Sequence, residues 1–94
     1  MEFERTDDSL IVRLEGELTS ENTPKIVETL FVETDGVDKL IFDLTGLEYT
    51  SSAGLRMFIA LQKLMKDNMV IKNVNDEVME IFIVSGLMKV LNIA

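Results

Sequence analysis

The run YTSSAGLR, from Tyr49 to Arg56, places three consecutive hydroxyls, Thr50, Ser51 and Ser52, just ahead of Ala53 and Gly54. Two kinds of chemistry suit residues of that type at the head of an amphipathic segment. A serine at a helix N-cap accepts a hydrogen bond from an early backbone amide, which stabilises the helix by roughly 1 kcal/mol. A serine at the same place can instead carry a phosphoryl group. About -1.5 to -2 charges would then lie against the positive end of the helix dipole and its unpaired amides. The fold should tolerate that charge, whereas a partner docked over a neutral hydroxyl would have to desolvate a dianion. Gly54 would leave the segment open to close approach, and Arg56 could reach back toward an anion or simply remain solvated.

Other chemistry finds little support. The chain has no Cys and no His, which removes thiol nucleophiles, disulfides, imidazole bases and nearly all zinc sites. No GxxxxGK loop, GxGxxG fingerprint or GxSxG elbow occurs, so nucleotide-binding and hydrolase motifs are absent. No cofactor, metal site or catalytic residue is expected. Asp43, with Glu48 nearby, invites comparison with a phospho-acceptor aspartate. The early strands offer no acidic pair at a strand's carboxyl end, so Asp43 is read as a strand-end residue that supports the loop by hydrogen bonds.

The elements that must position these residues follow from periodicity. With 94 residues and 47% hydrophobic composition, the chain can bury one core, and residues 1–94 are read as a single domain. MEFERT and LIVRL, separated by Asp7, Asp8 and Ser9, predict an opening hairpin. In ENTPKIVETLFVET, Ile26, Leu30 and Phe31 share a helical face, Pro24 suits a first helical position, Thr23 suits the cap, and Gly36 ends the helix. VDKLIFDL reads as a strand buried on both faces and ending near Leu44. AGLRMFIALQKLMKD then sets Phe58, Leu61 and Met65 on one helical side, with Arg56, Lys63 and Asp67 opposite. MVIKNV is a further strand. Asn75 caps a third helix with Asp76 and Glu77 in its first turn, and Gly86 stops it. MKVLNIA fits either a short strand or an extended tail.

This β-β-α-β-α-β-α order implies an α/β fold, a mixed sheet with helices packed on it. The hydroxyl run falls at the carboxyl end of a strand, where sites form in open α/β sheets. A net charge of -8 disfavours nucleic acid and anionic membrane as partners and points to proteins. The acidic start MEFERTDDSL and the short apolar runs predict a cytoplasmic protein. Of the six Met residues, Met57 lies beside the core stripe of the second helix, while Met79 and Met88 flank the third; they are core filler or an adaptable partner surface.

The segment LIFDLTGLEYTSSAGLRMFIAL resembles the signature of the STAS domain, the module shared by bacterial anti-sigma factor antagonists and the cytoplasmic tails of sulfate transporters. LIVRLEGEL before it and VMEIFIVSGLMKVLNI after it extend the resemblance over almost the whole chain, in the right order. The resemblance implies a stand-alone antagonist in a partner-switching circuit. It would bind an anti-sigma factor that is an ATP-dependent serine kinase, be phosphorylated and released, and be reset by a serine phosphatase. Alignment on Gly54 and Leu55 puts the phosphoacceptor at Ser52, with Ser51 and Thr50 as competing acceptors. The partner surface it implies comprises Thr19, Thr23, Glu48, Tyr49, Thr50, Ser51, Ala53, Gly54, Arg56 and Met57, on a monomer or weak dimer. Ser51 stands where the family often has Asp, Ala53 where a second Ser is common, and Thr19 where the preceding loop often carries Asp. The family's usual final helix is expected to be absent. A constitutive STAS scaffold of a transporter or phosphatase complex, in which Ser52 only caps its helix, is the alternative.

Overall fold

The computed structural model describes residues 1–94. Strands β1 (Glu2–Arg5) and β2 (Ser9–Leu18) form the expected hairpin, followed by α1 (Thr23–Glu33), β3 (Lys39–Thr50), α2 (Ser52–Met65), β4 (Met69–Lys72) and α3 (Asp76–Val84). Single 3-10 turns follow α2 and α3 at Lys66–Asn68 and Leu87–Lys89. The sheet runs β1-β2-β3-β4, antiparallel in its first pair and parallel in the other two. Helical crossovers between parallel strands account for that pattern.

Alternation along the strands sets the packed face. Leu10, Leu40 and Met69 form one buried row across the sheet, and Val12, Phe42 and Ile71 the next. Leu30 of α1, Met57, Phe58 and Leu61 of α2, and Val78 and Phe82 of α3 close over them in a single cluster. Phe42, Phe58 and Phe82 stack edge to face, with centroids 5.2 and 5.8 Å apart, the geometry that aligns a ring's positive edge with its neighbour's negative face. The opposite row, Ile11, Ile41 and Val70, is only partly buried. β3 is therefore fully buried on one face, not on both as its apolar run suggested, because the helices all supply their buried residues to one side.

β3 also extends six residues past Leu44. Beyond Asp43 its pairing with β2 continues through two irregularities, between Arg13 and Glu15 and between Gly16 and Glu17, each of which places an extra residue on β3. Such bulges bend a strand without ending it. Gly16 adopts the left-handed φ of +73° at the second bulge, and an ideal Cβ on Gly46 would lie 3.1 Å from Glu15 Cβ. A smaller correction concerns α1. Leu30 is buried, Ile26 is half-buried, and Phe31 turns to solvent. At the carboxyl end the tail makes a 3-10 turn and then one parallel bridge, Ile71 to Ile93, so it is neither a full strand nor wholly unpaired.

Candidate functional site at the head of the second helix

The carboxyl ends of β2 and β3 lie side by side, with Leu18 opposite Thr50 and the Ser51 amide donating to Leu18 O at 2.8 Å. The chain leaves both strands at the same corner of the sheet. From β2 it enters a tightly bonded turn. Thr19 Oγ1 accepts from the amides of Glu21 and Asn22, Asn22 Oδ1 accepts from the Thr19 amide, and Asn22 Nδ2 donates to Glu17 O at 2.8 Å. Asn22, not Thr23, occupies the N-cap position of α1, and its side chain makes no cap bond because it is engaged backward in the turn. Thr23 is the buried first residue of the helix, with Pro24 after it.

From β3 the chain enters α2 with only Ser51 between. Thr50 is buried and its hydroxyl donates to Ser51 O at 3.1 Å. Ser51 holds the N-cap position with extended backbone (φ -80°, ψ 175°), yet its side chain accepts no cap bond, and Oγ is buried with no partner. Ser52 is the first helical residue and is exposed. The reading of Ser52 as a cap is thus displaced by one residue, and neither serine caps. The first bond back into the helix runs from the Leu55 amide to Ser51 O, so the earlier amides of α2 have no partner within the helix. No acidic residue stands in its first turn. α3 begins quite differently, with Asn75 Oδ1 accepting from the Val78 amide and with Asp76 and Glu77 in the first turn. Of these two helix heads, α3 is compensated for its positive end and α2 is left open to negative charge.

Gly54 faces inward. A Cβ built there would run into Thr50 Oγ1 and come within 3.0 Å of Leu18 Cβ. Its lack of a side chain serves contacts inside the protein, which corrects the expectation that it keeps the segment open to a partner. Thr23, Pro24 and Val27 on α1 face Ala53, Arg56, Met57 and Ala60 on α2 across a largely apolar groove of about 390 Å³. Four of the residues expected on a partner surface, Thr23, Ala53, Arg56 and Met57, are therefore brought together. Met57, 2% exposed, can only contribute to the floor. Arg56 is exposed and takes part in none of the ion pairs. Glu48 and Tyr49 are exposed residues of β3 itself, not of a loop, and Thr50 and Gly54 lie buried beneath the helix head. Pro24, Val27 and Ala60 were not foreseen as groove residues, although Val27 and Ala60 each lie four residues beyond a residue that was, Thr23 and Arg56, and share its helix face.

Asp43 belongs to a separate structural cluster. Its Oδ1 accepts from Thr45 Oγ1 at 2.6 Å, from the Thr45 amide at 3.1 Å and from Asn73 Nδ2 at 3.0 Å, and Oδ2 lies 3.7 Å from Arg13 Nε. The Thr45 hydroxyl first, then Asn73, hold its carboxyl below the usual carboxylate range, with the Thr45 amide and Arg13 adding to the effect. Asp43 supports neighbouring backbone, as expected, but from the middle of β3. No group of three or more His, Cys, Asp or Glu side chains is placed to hold a metal ion. No helix is long and apolar enough to cross a membrane.

Known proteins resemble the chain over nearly its whole length. The Bordetella bronchiseptica protein BtrV, described as a candidate anti-sigma factor antagonist, is 29% identical over 96 residues, spanning 98% of this chain and 83% of BtrV. A candidate anti-sigma factor antagonist from Thermotoga maritima superposes with a TM-score of 0.88 at 21% identity, covering 98% of this chain and 83% of the other. The anti-sigma factor antagonist SpoIIAA in its unphosphorylated form gives 0.82 at 19% identity, covering 99% and 86%. The phosphorylated form of SpoIIAA from Bacillus gives 0.74 at 19% identity, covering 99% and 89%. These structures share the four-stranded mixed sheet with its packed helices, and the STAS domain profile matches residues 1–94. The chain belongs to the STAS domain family.

Proposed function

We propose that the chain is a cytoplasmic anti-sigma factor antagonist that binds a kinase-type anti-sigma factor and is switched off by phosphorylation at Ser52. The observation that carries this reading is the contrast at the head of α2. Ser52 is exposed there, above a helix end with no cap bond and no acidic residue, beside an apolar groove. The neighbouring Ser51 Oγ is buried and Thr50 is buried, which disfavours both as acceptors. Likeness to BtrV supports the antagonist reading, and a phosphorylated form of SpoIIAA supports the switch.

The domain itself performs no chemistry in this reading. The kinase supplies ATP; a Ser52 Oγ–P bond forms, the bond from the γ-phosphorus to ADP breaks, and the hydroxyl proton leaves. A serine phosphatase reverses the modification with water, releasing inorganic phosphate. Before modification, a partner can cover Ser52 while desolvating only a hydroxyl. Afterwards it must bury a dianion whose favourable field comes from α2 itself, so the fold keeps the stabilisation and the interface bears the penalty.

Wild type, Ser52→Ala and Ser52→Glu used in parallel as baits in lysate of the native organism test the proposal. Wild type and Ser52→Ala should retain a serine-kinase-type anti-sigma factor, and Ser52→Glu should lose it with about 100-fold weaker affinity, the order that ~3 kcal/mol implies. Kinase and ATP should then modify wild type alone, within the tryptic peptide Leu40 to Arg56. Retention of the same partners by all three baits would leave a constitutive scaffold.

A further inference from the structure

Arg56 stands four residues after Ser52 on α2. Residues at that spacing are neighbours on a helix surface, and the order of anion first and cation four later is the favourable one. Side chains on a helix lean toward its N-terminus, so Arg56 can reach the turn that carries Ser52. The remaining helix neighbours of Arg56, at three and four residues, are Ala53, Ile59 and Ala60. None can carry charge. α2 as a whole has no carboxylate, although the chain has 17 acidic residues. Across the groove Arg56 faces Thr23, Pro24 and Val27, again without an acid. Arg5 and Arg13, by contrast, both have carboxylate partners. An unpaired guanidinium on the rim of an apolar groove thus has one position within helical reach where an anion can arise.

We propose that Arg56 is an internal receiver for a phosphoryl group on Ser52, clasping it and leaving the α1–α2 groove when the serine is modified. This rests on the reading of Ser52 as the modified residue. The phosphoryl oxygens have two sets of donors, the guanidinium fork and the open amides at the head of α2. Modification then changes the partner surface twice in the same direction. A dianion is added at the helix head, and the one cation of the groove is neutralised. The unmodified groove, with Arg56 free over apolar walls, suits a partner segment that presents a carboxylate beside apolar side chains.

The test uses full-length protein carrying phosphoserine at position 52, installed during translation, with Arg56, Arg56→Lys or Arg56→Gln. Phosphorus NMR titration should give a second phosphate pKa about half a unit lower with Arg56 than with Gln, the order expected for an exposed charge pair, with Lys between them as a point charge. The Arg56 Nε–H resonance should shift and exchange more slowly only in the phosphorylated protein, and salt should shrink the pKa difference. Unphosphorylated Arg56→Gln should melt with wild type, which separates a clasp from a general structural role. Coincident titrations for all three proteins, with an unmoved Nε–H resonance, would overturn the clasp. Because the phosphoserine is installed without a kinase, failure here leaves the partner switch standing if Ser52→Glu still loses its partner. A clasp seen with no loss of partner retires the switch instead.

Discussion

Position 54 lies on the inward side of the first turn of α2, where an added methyl would meet Thr50 Oγ1 and approach Leu18 Cβ to 3.0 Å and Cδ1 to 3.1 Å. Helix propensity favours alanine over glycine by about 1 kcal/mol, and overpacking a filled site opposes it by about 1–3 kcal/mol. The neighbours decide the sign. Thr50 can yield only by giving up its bond to Ser51 O, and Leu18 is a fully packed residue of β2. Gly54→Ala should therefore destabilise the protein by about 1–2 kcal/mol in urea titration, despite its better propensity. A more stable variant would show that the helix head can shift outward. The sequence made a Ser-Ser-Ala-Gly pattern visible at the head of a helix but not which way each side chain turned. A one-residue change in the helix start rotates every side chain by about 100°, and helix ends are ambiguous by that much from sequence. Hence a serine at the head of α2 was legible in the sequence, while the inward roles of Ser51 and Gly54 required the packing of β2.

The two helix heads give opposite expectations for the same kind of substitution. Asn75 accepts from the Val78 amide at 2.9 Å and donates to Leu47 O at 2.7 Å, fixing the start of α3 to β3. Ser51 occupies the equivalent position on α2 with a buried, unpartnered hydroxyl. Asn75→Ala should lose about 1–2 kcal/mol, as an engaged cap does. Ser51→Ala should change stability by less than about 0.5 kcal/mol, or raise it slightly, because the substitution removes a polar atom buried without a bond. Paired chemical denaturation checks both. A loss of similar size for the two would mean that Ser51 caps α2 in solution. At this scale the alternation and helical periods were enough to order the elements and to identify the Asn75 cap and the Gly86 stop, whose φ is +75°. They did not show that β3 runs to Thr50. Bulges shift its buried positions from every second residue, Leu40, Phe42 and Leu44, to every third, Leu47 and Thr50, and so erase the period by which a strand is recognised.

The three parallel-paired strands are joined outside the core by a polar cluster, and its chemistry makes the stability of the whole molecule depend on pH. Asp43 of β3 binds Thr45 beside it, Asn73 just beyond β4, and Arg13 of β2. Asn73 has a left-handed φ of +60°, so the bond to Asp43 also holds a strained turn between β4 and α3. The Asp43 carboxyl is held below its ordinary range chiefly by the Thr45 hydroxyl and then by Asn73. A carboxyl with a depressed folded pKa contributes stability that is present above its unfolded value and is lost as pH falls through the folded one. Asp43→Asn keeps the shape and an acceptor oxygen but removes the charge, and should reduce unfolding free energy by about 1 kcal/mol near neutral pH. That difference should persist above the ordinary carboxylate range and close as pH falls through the depressed folded value, where Asp43 becomes protonated in the wild type. Urea titrations of both proteins across that range measure the gap directly. A gap independent of pH would assign the effect to shape, and one that widened in acid would reverse the sign. Because the cluster lies on the sheet and outside the α1–α2 groove, the same variant should retain whatever partner the unmodified head of α2 binds.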